Sequence, residues 1–321
     1  MTTTSGHLAA PFAFARYRDG DAVHLGLAAG DRIRPLAPED LGAGGLNGFL
    51  AAPDWGRLQD IAEADGPWLP LDGVELTAPV EPRQVLQTGA NYRTHVIDLV
   101  VAGLDKDDPR SPEEAREWAG RMMDERREHG EPYFFIGLPA CVVGDDVPLV
   151  LPGYSAKHDW ELELAVVIGA EAFRVSRDAA MDHVAGYTIV NDITTRDLVF
   201  RRDMKEIGTD WYRGKNAPGF LPTGPFLVPA PFVEPANLKV RLELNGKVMQ
   251  DATTDDLLFD IPALVSAASQ NMPLLPGDLL LTGSPAGNGA HWGRLLRDGD
   301  VMTGSIEGLG TQVVRCVGEE Q

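Results

Sequence analysis

The sequence is poor in cysteine, in basic residues and in long apolar runs. Cys141 and Cys316 are the two cysteines of a 321-residue chain. Two distant thiols exclude a disulfide framework and a cysteine-rich zinc site, and they fit a reducing compartment. Basic residues number 28 against 48 acidic ones, for a formal net charge of −20. That field repels phosphate backbones and anionic lipid, so neither nucleic acid nor membrane is an expected partner. A small anionic molecule stays open as a ligand, because a bound cation reverses the field locally. Apolar runs such as Leu164 to Gly169 fall far short of the roughly 20 residues a membrane helix needs. Met1 to Ala10 shows no basic stretch followed by an apolar one, so no secretory leader is read and the expected location is cytoplasmic.

What is present is ordinary globular composition, 44% hydrophobic and 24% charged, enough for one large domain or two modest ones. Strand-like pieces at Phe12 to Tyr17 and Ala22 to Ala28 flank a hairpin turn at Asp19-Gly20-Asp21. A short helix is expected from Trp55 to Ala64, and Leu76 to Val80 reads as a strand leading into the main domain. Residues 111–129 read as a charged helix, with Ser111 as N-cap, Pro112 at the first position, and Glu113 and Glu114 in the first turn. It is either a solvated helix or part of a mobile cover. From Cys141 onward short strands dominate: Val147 to Leu151, Glu161 to Ile168, Gly186 to Val190, Leu238 to Leu244, Leu279 to Thr282 and Gln312 to Val317. Helices are expected near Ile193 to Met204 and at Ile261 to Ser269. The pattern is a β-rich mixed fold without βαβ alternation. The GxG patterns near Gly287 lack a strand-loop-helix setting for a dinucleotide, and Ser284 lacks the G-x-S-x-G of a serine hydrolase.

The chemistry concentrates in carboxylates. In KHDWELELAVVIG, Glu161 and Glu163 are two apart, so a strand points both to one face and Leu162, Leu164 and Val166 to the other. Two adjacent carboxylates repel in a buried setting, and a cation resolves the conflict. The competing reading is an edge strand with solvated glutamates, which the apolar AVVIG weakens. In GYTIVNDITTRDL a β-branched strand ends at Asp192, placed either to ligate or to cap the next segment. Oxygen ligands favour Mg²⁺ or Mn²⁺, with Ca²⁺ as a third choice, over zinc.

Other groups complete a site. His95 and Asp98 are three apart in GANYRTHVIDLV and meet on one face if it is helical; the pair suits a general base or, more plainly, a surface contact. Lys215, in the Gly-flanked WYRGKNAPGF, is a substrate-pairing or a solvated lysine. The turn LTGSPAGNG offers backbone N–H groups and the Thr282 hydroxyl to an oxyanion, or only tight turning. His158 is a weaker supporting candidate.

Taken together, GANYRTH (89–95), DWELELAVVIG (159–169), GYTIVNDITTRDL (186–198), GK…PTGP (214–225), NGKVMQDATTDDLLF (245–259) and LPGDLLLTGSPAGNG (275–289) resemble the fumarylacetoacetate hydrolase family, in family order over about residues 80–317. The resemblance implies an α+β fold: a β-sandwich or β-roll catalytic domain over 79–321, usually dimeric, after a small N-terminal domain over 1–78, with a lid at about 92–131. It implies metal ligands at Glu161, Glu163 and Asp192, a lid dyad at His95 and Asp98, and substrate contacts at Tyr92, Lys215, Thr282 and Gly283. The sequence departs from many members at Gly137, where they have lysine, at Val199, where some have glutamine, at Asp98 in place of glutamate, and in its long lid. The expected activity is hydrolytic C–C cleavage of a β-diketone-type acid: the ion polarises a carbonyl, His95 with Asp98 activates water, and the ion and Lys215 stabilise the departing enolate. Decarboxylation or keto–enol isomerisation of a 2-oxo acid is the alternative, and a non-catalytic metal-binding homologue is a third reading. The expected partners are an anionic oxo acid and a second copy of the chain.

Overall fold

A computed structural model describes residues 8–105, 107–144 and 146–320. The first seven residues, where the leader reading falls in part, lie outside the described residues.

A five-stranded sheet opens the chain. Ala13–Asp19 and Ala22–Ala29 form its antiparallel hairpin. The turn is the expected one, and Gly20 takes a φ of 59° there, a conformation that suits glycine. The helix Trp55–Glu63 is capped by Asp54, whose side chain accepts from the Arg57 N–H. A short helix, Gly45–Ala51, precedes it.

The central sheet holds the site. Its strands are β1 (Val85–Gly89), β2 (Tyr133–Gly137), β3 (Leu162–Ile168), β4 (Val184–Asn191), β5 (Val228–Pro229) and β6 (Leu279–Leu281). They lie in the order β5-β4-β3-β6-β1-β2, with β6 and β1 parallel and the other neighbours antiparallel. β3 is therefore interior, and all seven of its residues are buried. The edge-strand reading of the glutamates falls on this point.

Alternation along β3 divides two cores. Leu162, Leu164, Val166 and Ile168 pack with Val240, Leu242, Met302 and Val314 of a second five-stranded sheet. Ala165 and Val167 face the other way, among Phe12, Phe14, Leu27 and Leu227. The N-terminal sheet thus shares a core with the central one, and the Phe14 N–H donates to the Leu227 carbonyl at 2.8 Å. Leu164 is fully buried, and truncating such a residue to alanine costs about 2–5 kcal/mol.

Helix α1 (Arg93–Ala102) and helix α2 (Pro112–His129) occupy the segment expected to serve as a lid. The capping box at the start of α2 is present: Ser111 Oγ accepts from the Glu114 N–H, and the Glu114 carboxylate accepts from the Ser111 N–H. Ala115, Ala119 and Met123 are buried at helical spacing, so α2 is docked along one face rather than solvated all round.

The expected helix from Ile193 to Met204 shrinks to α3 (Arg196–Val199). Thr194 and Thr195 instead pair as a strand with His158 and Asp159, because their β-branched side chains are buried against that segment. The helix Ile261–Ser269 forms as expected. Among the described residues no helix is long and apolar enough to cross a membrane.

Candidate metal centre and its pocket

Antiparallel pairing of β3 with β4 sets Leu162 opposite Asn191. Glu161, just before β3, and Asp192, just after β4, are neighbours for that reason. The Asp192 N–H donates to the Glu161 carbonyl at 2.8 Å, and the Glu161 N–H donates to Asn191 Oδ1 at 2.9 Å. The asparagine of the Asn-Asp pair thus locks the two strand ends. Glu163 projects from the same face as Glu161, and one carboxylate oxygen from each of Glu161, Glu163 and Asp192 lies within 4.8 Å of the others.

Two cations lie against this cluster. Lys215 ends helix α4 (Trp211–Lys215) and is 2% exposed. Its Nζ donates to Glu161 Oε2 at 2.5 Å and to the Asp192 carboxylate. The solvated-lysine reading is excluded. Arg196, in α3, donates from Nε to Asp159 Oδ2 and from Nη2 to Glu161 Oε1, both at 2.7 Å.

The electrostatics leave negative charge in excess. Burial pushes Glu163 well above the usual carboxylate range, and the Asp192 charge adds to the rise. Burial likewise raises Asp192 to about 6, against the opposing pull of Lys215. Burial alone would raise Glu161 too, but Arg196 and Lys215 outweigh it and hold that carboxyl well below its ordinary range. Burial disfavours the Lys215 ammonium, yet Asp192 and Glu161 keep it charged.

Four carboxylates, Asp159 included, face two fixed cations. One divalent ion would cancel the difference, and an all-oxygen donor set suits a hard one. The residues present fit such a group.

The supporting contacts sharpen the fit. The Gly283 N–H donates to Glu163 Oε2 at 2.8 Å. Gly283 has a φ of +95°, and a β-carbon there would stand 2.9 Å from that of Asn91, so only glycine delivers this N–H. Gln87, fully buried on β1, donates from Nε2 to Asp192 Oδ1. Its Oε1 is buried without a partner among the described residues.

The cluster forms the floor of a cavity of about 420 Å³, within the range of about 300–1,000 Å³ usual for small-molecule sites. His95, Asp98, Glu161, Glu163, Asp192 and Lys215 all line it. His95 comes from α1, whose start is anchored by Asp256: Thr94 donates to that carboxylate from its N–H at 2.9 Å and its hydroxyl at 3.1 Å. Burial holds the His95 imidazole below its ordinary pKa of 6.5, against an opposing pull from Glu161.

Four expectations need correction. Asp98 does not hydrogen-bond His95 among the described residues; its Oδ1 accepts from Arg116 of α2 at 2.7 Å. Tyr92 is fully buried in the core rather than in the cavity lining, because it sits at the N-cap of α1 with its backbone bridged to Leu257. The Thr282 hydroxyl is not free for substrate, since it donates to the Leu164 carbonyl at 2.9 Å. Gly283 holds Glu163 rather than facing the cavity. His158 is structural: its ring nitrogens lie 3.0 Å from Thr195 Oγ1 and 3.0 Å from the Pro152 carbonyl. Val199 packs away from the cavity, where a β-carbon on Gly214 would stand 3.0 Å from its Cγ2.

Several site residues carried no expectation: Arg196, Asp159, Gln87, Phe135, Trp211 and His291. Arg196 had a signal. Asp159 and Glu161 on one strand face need a cation, and an arginine follows Asp192 by four positions. Gln87 and Phe135 had none, since their roles depend on strand neighbours remote in sequence.

The Fumarylacetoacetate (FAA) hydrolase C-terminal family matches residues 84–317. A 2,4-didehydro-3-deoxy-L-rhamnonate hydrolase of Sphingomonas is 40% identical over 186 residues, covering 57% of this chain and 64% of its own. An oxaloacetate tautomerase of Bacillus subtilis is 35% identical over 247 residues, covering 75% and 72%. The crystal structure of a 2-hydroxyhepta-2,4-diene-1,7-dioate isomerase from Mycobacterium marinum superposes with a TM-score of 0.70 at 30% identity, covering 97% of this chain and 100% of that one. These relatives span hydrolysis, tautomerisation and isomerisation. With the family matched over the whole central sheet and the acidic cluster at its heart, the chain belongs to the fumarylacetoacetate hydrolase family.

Proposed function

We propose that this protein is a divalent-metal-dependent hydrolase that cleaves a carbon–carbon bond in an acylpyruvate-type diketo acid. The observation that carries the reading is His95, a half-buried imidazole that lines one cavity with the carboxylate cluster and whose pKa burial lowers. A neutral imidazole can take a proton from water at physiological pH, as hydrolysis requires.

Glu161, Glu163 and Asp192 would hold the ion, with Mg²⁺ or Mn²⁺ preferred, and when bound it supplies Lewis-acid polarisation of a substrate oxygen. The chain's own residues do the rest. His95 removes a proton from water as the oxygen adds to the acyl carbonyl. The bond between the acyl carbon and the adjacent methylene then breaks, and its electron pair stays on the pyruvate unit. His95 returns its proton to that carbon. The products are a carboxylate, pyruvate and one released proton, which balances the water consumed. Lys215 keeps a positive charge beside the developing anion.

Keto–enol tautomerisation is the second reading. Asp98 is occupied by Arg116 rather than His95, so that among the described residues the histidine has no hydrogen-bonded carboxylate partner, and proton exchange at carbon needs no hydrolytic water. Purified protein with Mn²⁺ is expected to cleave acylpyruvates, seen as loss of enol absorbance with release of both acids, and EDTA or His95→Ala is expected to stop it. Ketonisation of oxaloacetate without any cleavage of acylpyruvates would favour the second reading. The same proposal includes self-association, since Ile136, Ile207 and Tyr212 are more than half exposed and pairing of two copies would cover such a surface. Sedimentation at two concentrations tests it.

A further inference from the structure

Three polar residues of the cavity share a sequence relationship. His95, Arg196 and Lys215 each have a large apolar residue four positions away that lines the same cavity: Leu99, Phe200 and Trp211. His95 and Leu99 lie in α1, and Lys215 and Trp211 lie in α4, so each of these pairs is one helical turn apart on one face. Ala102, seven positions from His95, also lines the cavity. At 1.5 Å per residue, α1 therefore carries an apolar stripe to about 10 Å from the histidine.

Trp211 is held firmly. Its ring stacks on Phe135 with centroids 4.5 Å apart and planes 16° apart, and its Nε1 donates to Tyr133 Oη at 2.7 Å. Phe135 in turn lies 5.5 Å from Lys215 Nζ. The aromatic wall thus begins at the lysine and leads away from the carboxylate cluster.

Among the described residues that line the cavity, the full cations are Arg196 and Lys215. Both are committed to the cluster carboxylates. The charged group beside the apolar stripe is Asp98, already paired with Arg116, and among the described lining residues no cation is left free to receive a second carboxylate. A second carboxylate placed against Leu99, Phe200 and Trp211 would meet apolar side chains and no free cation of the described lining, whereas an alkyl or aryl group there would cover the exposed Leu99 and Phe200.

Resting on the reading of the site as one for 2-oxo acids, we infer that its substrate carries a single carboxylate at the cluster end and an uncharged alkyl or aryl group at the other. A dicarboxylic oxo acid is the poorer ligand.

The test compares acetyl-, butanoyl-, hexanoyl- and benzoylpyruvate with maleylpyruvate and oxaloacetate, using the Mn²⁺-loaded protein. Turnover is followed in the wild type. Binding is followed by Trp fluorescence quenching in His95→Ala, so that affinity is read without cleavage. Affinity is expected to rise about fourfold per added methylene until the tail outgrows the cavity. The dicarboxylates are expected to bind at least about tenfold more weakly than benzoylpyruvate. Leu99→Arg, at a half-exposed position that tolerates a long side chain, is expected to narrow or reverse that preference.

Equal or tighter binding of the dicarboxylates overturns the inference, as does an affinity that ignores tail length. The two readings separate cleanly. Cleavage without tail preference leaves the hydrolase standing and removes the apolar tail. Tail-dependent binding without cleavage does the reverse.

Discussion

A β-carbon on Gly137 would stand 3.0 Å from Oε1 of Gln87, so the buried amide of Gln87 fills the room that the glycine leaves. Position 137 offers no side chain, and a neutral amide from the adjacent strand reaches Asp192. Gln87→Ala should weaken Mn²⁺ binding by about 10–100-fold, the usual cost of losing a residue that orients a ligand. Isothermal titration of the purified protein reads it. Gly137→Ala, which must displace the same amide, should move affinity in the same direction; unchanged affinity in both variants would mean that Gln87 only fills space.

Glu163→Gln removes a carboxylate whose charged form burial and Asp192 both disfavour. In EDTA the variant should melt no lower than the wild type, because it relieves buried repulsion. In excess Mn²⁺ the wild type should gain stability, about 2.7 kcal/mol at a hundredfold excess over Kd, and the variant should not. A wild-type melting temperature indifferent to Mn²⁺ and Mg²⁺ would count against the metal centre itself.

The pH profile follows from His95. Burial lowers its pKa below 6.5; Glu161 and Asp98 pull the other way, and Arg196 and His291 reinforce the drop. A base must be deprotonated to act, so kcat/KM should rise with pH through a midpoint below 6.5 and be flat near neutrality. Arg116→Ala releases Asp98 from its ion pair. The freed carboxylate favours the imidazolium, so the acid limb should move to higher pH. Identical limbs in the two proteins would show that Asp98 has no influence on the histidine.

Arg196→Met strips a partly buried cation that bridges Asp159 and Glu161. Asp159 is fully buried, and breaking such a pair from one side costs about 3–5 kcal/mol. Urea unfolding measures the loss. Arg196→Lys should recover part of it, since an ammonium keeps the charge without the fork that spans two carboxylates. A methionine variant as stable as the wild type would show that the N–H groups of Trp160, Gly289 and Ala290 suffice for Asp159.

Legibility in the sequence followed the range of the interaction. Ser111 and Glu114 form their capping box from four consecutive residues, and the box is where the pattern put it. Glu161 and Glu163 share a face because alternation along a strand is a local property. The helix foreseen across 193–204 failed for the opposite reason. Thr194 and Thr195 pair with a strand some 36 positions earlier, and that partner outweighs local propensity. Asp98 failed likewise: helical spacing brought it near His95, but a second helix supplied Arg116, a stronger partner.

By itself the sequence determined the shared face of Glu161 and Glu163, the helix that carries His95 and the β-rich fold, because strand alternation and helix spacing act within a few residues. The tertiary structure decided what each group does there. Gln87 reaches Asp192 across 105 positions and Gly283 holds Glu163 across 120. Thr282 turned inward to Leu164, and Phe135 met Trp211 to build an apolar wall. A buried polar or charged side chain takes its role from whichever partner packing brings within hydrogen-bond reach, and that partner comes from strands and helices remote along the chain.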